Sequence, residues 1–138
     1  MEISKYKKYH KQKKVGKNEK SYLRNIKKGF YGLKVIESGI ITPKHIEMAR
    51  RVISRITKRI GKIFINVFCN YPLTKKPLLS RMGKGSGLIN TWVAYVKKGK
   101  IIIEVKGVPK KLVFIAFKII KYRIAIKMNI INRYVVDV

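Results

Sequence analysis

Apolar residues recur along the chain in two rhythms, and the change from one to the other marks out its elements. Ile46, Ala49, Ile53, Ile56 and Ile60 follow a three-four spacing, which places them on one stripe of a helix. Thr42 and Pro43 stand where that helix needs an N-cap and a preset φ, and Gly61 stands where a C′ glycine is expected, so the pattern predicts a helix over 43–60. A second broad apolar face, formed by Leu112, Val113, Ala116, Phe117 and Ile120, predicts another helix over 109–122. Elsewhere the period is two. Alternation predicts strands near 31–37, over 62–69, 91–98 and 100–106, and over 127–135, with Gly39 as a turn and Lys97-Lys98-Gly99-Lys100 as the tight turn of a hairpin. Residues 71–90 show neither rhythm and read as a long exposed excursion bounded by Pro72 and Pro77. The predicted class is α+β, a mostly antiparallel sheet with two packed helices.

Charge changes the picture next. The chain has 138 residues, with 34 Lys and Arg against 6 Asp and Glu, for a formal net charge of +28. Such a chain repels itself and needs a polyanion, which nucleic acid supplies through phosphate neutralisation and counterion release, a cationic membrane-surface protein being the alternative. A hydrophobic content of 46% argues for a folded domain rather than a cationic tail. Residues 1–28 are the exception, because lysines interrupted by Tyr6, Tyr9 and Tyr22 leave little to build a core from. They read as a basic arm, either a solvated tail or a segment that orders on RNA, followed by a single domain over 29–138. No secretory signal or import presequence is evident at the start, and no apolar run approaches the roughly 20 residues of a membrane span, so membrane insertion is not expected.

Catalytic chemistry is hard to assemble from these residues. The acids Glu2, Glu19, Glu37, Glu47, Glu104 and Asp137 are scattered singly, and Glu47 reads as an intrahelical partner for Arg50 or Arg51. His10 and His45 read as solvated or phosphate-facing. Cys69 is alone and reads as a small buried apolar residue, so neither a disulfide nor a cysteine zinc site forms within the chain. Neither a metal, a cofactor nor a small-molecule substrate is implied. The stretch that looks functional is Arg81-Met82-Gly83-Lys84-Gly85-Ser86-Gly87. Its alternate glycines let the backbone approach another surface, and its cations make a phosphate a suitable one. The spacing is not that of a nucleotide-hydrolysing phosphate loop, and a solvated hairpin loop is the alternative.

Arg81-Met82-Gly83-Lys84-Gly85, followed by Trp92-Val93-Ala94, resembles the signature of the L-sixteen family of large-subunit ribosomal proteins, of bacterial and organellar type. Tyr31-Gly32-Leu33-Lys34, Ile46-Glu47-Met48-Ala49-Arg50-Arg51, residues 58–65, Lys76-Pro77-Leu78 and Gly107-Val108-Pro109 resemble family segments in the same order. The resemblance implies a structural protein, not an enzyme, the alternative being a cationic membrane-surface or non-ribosomal RNA-binding protein. Its partners would be large-subunit rRNA, the acceptor-site tRNA and neighbouring ribosomal proteins. By the same resemblance Lys7, Lys8, His10, Lys11, Lys13 and Lys14 anchor the arm on rRNA, and Arg50, Arg51, Arg55, Lys58, Arg59 and Lys62 add phosphate contacts. Lys75, Lys76 and the 81–87 loop would lie near the tRNA and the peptidyl transferase centre, and bacterial members can carry a hydroxylated arginine at the position of Arg81. Ser86 stands where the family commonly has lysine, Phe64 where it has tryptophan, and Lys110-Lys111 where bacterial members have acids. An excess of Lys over Arg, with frequent Ile, Asn and Tyr, fits an AT-rich coding genome. A mitochondrial, organelle-encoded ribosomal protein is the expectation, with a plastid or bacterial cytoplasm as alternatives.

Overall fold

The computed structural model describes residue 8 and residues 25–133. In chain order the elements are β1 (Tyr31–Val35), β2 (Gly39–Ile41), α1 (Pro43–Ile56), β3 (Lys62–Ile65), β4 (Tyr71–Lys75), β5 (Leu88–Val96), β6 (Ile101–Lys106), α2 (Lys110–Arg123) and β7 (Met128–Asn132). They form a four-stranded sheet in the order β3-β6-β1-β7 and a three-stranded sheet in the order β2-β5-β4. Every strand pairing described is antiparallel, so the α+β class holds.

The division into two sheets corrects the expected hairpin at residues 97–100. β5 pairs with β2 and β4, whereas β6 pairs with β1 and β3. The tight turn itself is present, with Lys100 N donating to Lys97 O at 3.2 Å, and the neighbouring β1–β2 connection also holds it: Gly99 N donates to Val35 O at 2.8 Å and Lys98 N to Ser38 Oγ at 3.2 Å. Two connections thus cross side by side from one sheet to the other. Gly39 does not make a turn but begins β2.

Residues 71–90 are a hairpin, not an unstructured excursion. β4 and the first half of β5 pair from Tyr71↔Val93 to Lys75↔Leu88. Pro72 hid this strand from a pattern reading, yet β4 is an edge strand, where a missing N–H is tolerated. β3 is shorter than expected and ends at Ile65, although Val67 and Cys69 beyond it remain buried. β7 likewise spans Met128–Asn132 rather than 127–135, whose last two residues lie outside the described ones.

One apolar core joins the layers. Leu33, Ile41, Ile53, Val96, Phe117 and Ile120 are fully buried within it, each contributing about 1.5–3 kcal/mol of transfer free energy. Ile26 is buried as well, so the packed body includes residues from the end of the basic segment. Cys69 is 8% exposed, and burial pushes its thiol pKa up.

Candidate nucleic-acid interface

α1 begins as its sequence requires. The Thr42 side chain accepts from His45 N at 3.4 Å while His45 Nδ1 accepts from Thr42 N at 3.5 Å, a reciprocal cap that gives His45 a structural role the sequence reading did not assign it. The helix ends earlier than Ile60. Lys58 N donates to Arg55 O and Arg59 N to Ser54 O, the two bonds of a Schellman motif whose C′ residue is Lys58 and not Gly61. Lys58 has φ 49° and Arg59 φ 64°, so two lysine-and-arginine side chains occupy a conformation that usually belongs to glycine. The backbone therefore turns sharply, Ile60 leaves the core stripe at 55% exposure, and both cations sit at the negative end of the helix dipole.

That turn brings four predicted residues together. Arg50, Arg51, Arg55 and Arg59 line an open groove of about 820 Å³ between α1 and β3, floored by Ile63 and Ile65. Lys58 and Lys62 are exposed close by in sequence but do not line it. Glu47 orders two of the arginines: its Oε1 is 2.8 Å from both Arg50 Nη2 and Arg51 Nε. Their hydrogen bonds hold the Glu47 carboxyl at about 2, well below the usual range. A second groove shares Arg51 and Arg55 and adds Lys44 and Arg123. Arg123, at the end of α2, had no signal in the sequence because only helix packing carries it to α1.

The β4–β5 hairpin presents the remaining loop residues. Lys75 is exposed at the end of β4, and Arg81, Met82, Lys84 and Ser86 are all exposed beyond it. Gly83, Lys84 and Gly85 have φ of 96°, 54° and 79°, three successive left-handed residues. A Cβ on Gly83 or Gly85 would meet nothing within 4 Å, whereas one on Gly87 would collide with the Lys75 carbonyl. Gly87 thus closes the hairpin, while Gly83 and Gly85 leave a bare backbone surface. Lys76 braces that surface by donating from Nζ to Gly83 O at 2.5 Å. Tyr71 and Tyr95 stiffen the stem, with ring centroids 4.8 Å apart in an edge contact.

A model of the family described as ribosomal protein L16p/L10e matches residues 2–131. The chain belongs to that family. It is a ribosomal protein, structural rather than catalytic in role. It is 45% identical over 130 residues to large ribosomal subunit protein uL16 of Blochmanniella pennsylvanica (strain BPEN), covering 94% of this chain and 95% of that protein. It is 44% identical over 133 residues to the uL16 protein of Buchnera aphidicola subsp. Baizongia pistaciae (strain Bp), covering 96% and 95%.

At the root of the basic segment the sequence reading missed a residue. Glu104 lies in the middle of β6 and is 2% exposed. Its Oε2 accepts from Lys28 N at 2.7 Å and Gly29 N at 2.8 Å, and its Oε1 accepts from Asn66 Nδ2 at 2.7 Å. Burial pushes its pKa up, but these bonds outweigh that effect and hold it below the usual value. Gly29 is required because a Cβ there would come within 2.8 Å of Glu104 Cβ and 2.9 Å of Val105 N. The signal was available: a lone acid inside the apolar run Ile101-Ile102-Ile103-Glu104-Val105 needs a buried partner. Of the arm residues, Lys8 is exposed, while Lys7, His10, Lys11, Lys13 and Lys14 lie outside the described residues. Among the described residues no group of three or more His, Cys, Asp or Glu could hold a metal, and no helix is long and apolar enough to cross a membrane.

Proposed function

We propose that this chain binds large-subunit rRNA through its basic arm and the α1 grooves, and that its glycine loop reaches the acceptor-site tRNA and the vicinity of the peptidyl transferase centre. It is a structural constituent of the large ribosomal subunit, as its family membership and its two uL16 relatives indicate. Lys7, Lys8, His10, Lys11, Lys13 and Lys14 anchor the arm, and Arg50, Arg51, Arg55, Lys58, Arg59 and Lys62 neutralise phosphates. Lys75, Lys76, Arg81 and Lys84 meet RNA around the bare backbone of Gly83 and Gly85, supporting subunit assembly and tRNA accommodation. Residues 1–28 work as the RNA-binding arm and 29–138 as the domain that positions it. The observation that carries this reading is the convergence of four arginines on one open groove beside a capped helix end. The lysine-rich, isoleucine-rich composition favours a mitochondrial, organelle-encoded ribosomal protein. The bacterial origin of both relatives favours a bacterial cytoplasm as the second reading.

Gradient separation of ribosomal particles from cells and from isolated organelles tests location. Stoichiometric recovery in organelle large subunits is expected, and recovery confined to cytoplasmic ribosomes would select the second reading. Arg81→Ala should impair subunit maturation or elongation without changing the thermal unfolding of the isolated chain. A normal ribosome profile together with a normal elongation rate would remove the loop from the functional interface.

A further inference from the structure

β7 forms one edge of the four-stranded sheet and pairs, among the described residues, with β1 alone. The ladder fixes which of its backbone groups face outward. Arg133 N donates to Phe30 O and Ile36 N to Lys127 O, so odd-numbered residues of β7 exchange bonds with β1. Antiparallel alternation then turns the N–H and C=O of Met128 and Ile130 away from β1, toward the open edge.

α2 lies beside that edge with an apolar flank. Phe114, Ile115 and Tyr122 project from it at 39%, 52% and 81% exposure, and with Ile126 and Ile130 they border a groove of about 770 Å³. Lys118, Lys121 and Lys127 also line it. Lys127 has a distant, exposed partner in Glu37, 3.7 Å away, which leaves it able to meet another acid. The groove differs in kind from the arginine groove at α1. Its border is mainly aliphatic and aromatic, so a phosphate placed against it loses water and meets no arginine fork.

We propose that this groove receives an extended segment of a second large-subunit protein, which adds a strand to β7. Its backbone pairs with the outward groups of Met128 and Ile130. Alternate apolar side chains enter the groove against Ile115 and Tyr122, and acidic side chains meet Lys118, Lys121 and Lys127. Charge complementarity selects an acidic partner, because a second copy of this strongly basic chain would bring like charges to the same lysines. The proposal rests on the chain's place in the large subunit.

The test uses the full chain assembled in purified large subunits, with the photo-crosslinker benzoylphenylalanine at position 115 or, separately, 122. An adduct to a subunit protein is expected, mapping to a segment with alternating apolar residues and acids. Ile115→Lys should lower that protein's retention on salt-washed subunits about tenfold, as loss of a central apolar anchor does. Ile130→Pro, which removes an outward N–H and leaves the β1 ladder in place, should do the same. Adducts to rRNA alone, to a second copy or to residues 134–138 of the same chain would overturn the proposal, as would no adduct or unchanged retention in both variants. Absence of the chain from large subunits is a different result and would count against the ribosomal reading instead.

Discussion

The two edges of the four-stranded sheet carry opposite chemistry. At the β3 edge, Ile63 and Ile65 floor the arginine groove of α1, while Phe64 on the other face lies under Lys28 and opposite Glu104. At the β7 edge, α2 contributes Phe114, Ile115 and Tyr122 beside a strand that pairs, among the described residues, on one side only. α1 and α2 are each 14 residues long and each buries an apolar stripe, Ala49 and Ile53 on α1 and Val113, Ala116, Phe117 and Ile120 on α2. The difference lies in their outward faces. Burial of one stripe is enough to fix a helix in the core, so the opposite face is free to be set by whatever docks there. One fold thereby offers an arginine-lined side and an apolar side without altering its core.

The largest expected effect tests whether charge on α1 differs in function from charge on α2. Changing Arg50, Arg51, Arg55 and Arg59 together to Ala should flatten the salt dependence of binding to large-subunit rRNA by roughly four units of log K per log salt. Changing Lys110, Lys111, Lys118 and Lys121 on α2 should flatten it by less than about one. Binding titrations over a salt series read both slopes, and equal slopes would erase the distinction between the edges.

Glu104 offers an intermediate effect confined to the β3 edge. Its folded-state pKa lies below the usual carboxylate value, so its contribution is present above that value and is lost as pH falls through the folded pKa. Glu104→Gln should cost about 1.5–3 kcal/mol at pH 7, the range for hydrogen bonds to a charged group. The gap between variant and parent should shrink under acid, as chemical denaturation at pH 7 and pH 3 would show. A gap independent of pH would mean that the carboxylate charge is not what ties the arm's root to the sheet.

The smallest effect sharpens the comparison at the helix ends. Lys58→Gly should raise stability by about 1 kcal/mol, because glycine adopts the left-handed C′ conformation without a Cβ penalty. It should also weaken rRNA binding, since one cation is lost. α2 ends differently, with Ile124 extended at φ −105° and buried, so Ile124→Gly should destabilise. Thermal unfolding of the two variants decides whether the strain is particular to α1.

Much of the molecule was legible before any coordinates. The Thr42-Pro43 start of α1, the apolar stripes of both helices, the strand at β6 and the Arg81 loop all rest on local rules of capping, period and turn chemistry, which act within a few residues. Glu47 between Arg50 and Arg51 is local in the same sense, being one helical turn away. The charge excess, too, is a property of composition and called for a polyanion wherever the residues fell. Sheet membership was not legible. Residues 97–100 have the chemistry of a hairpin turn, but Val35 and Ser38, some 60 positions away, hold them and send β5 and β6 into different sheets. Nor could Pro72 be read as a strand residue until β4 was known to lie at an edge. The end of α1 was decided by bonds from Lys58 and Arg59 that override glycine's usual claim on the C′ position. Sequence fixed the periods and charges because they depend on neighbours along the chain. Tertiary structure alone decided that Glu104 closes on Lys28 and Gly29, that Arg123 joins α1, and that β7 is, among the described residues, an open edge, because these depend on which distant segments share a core.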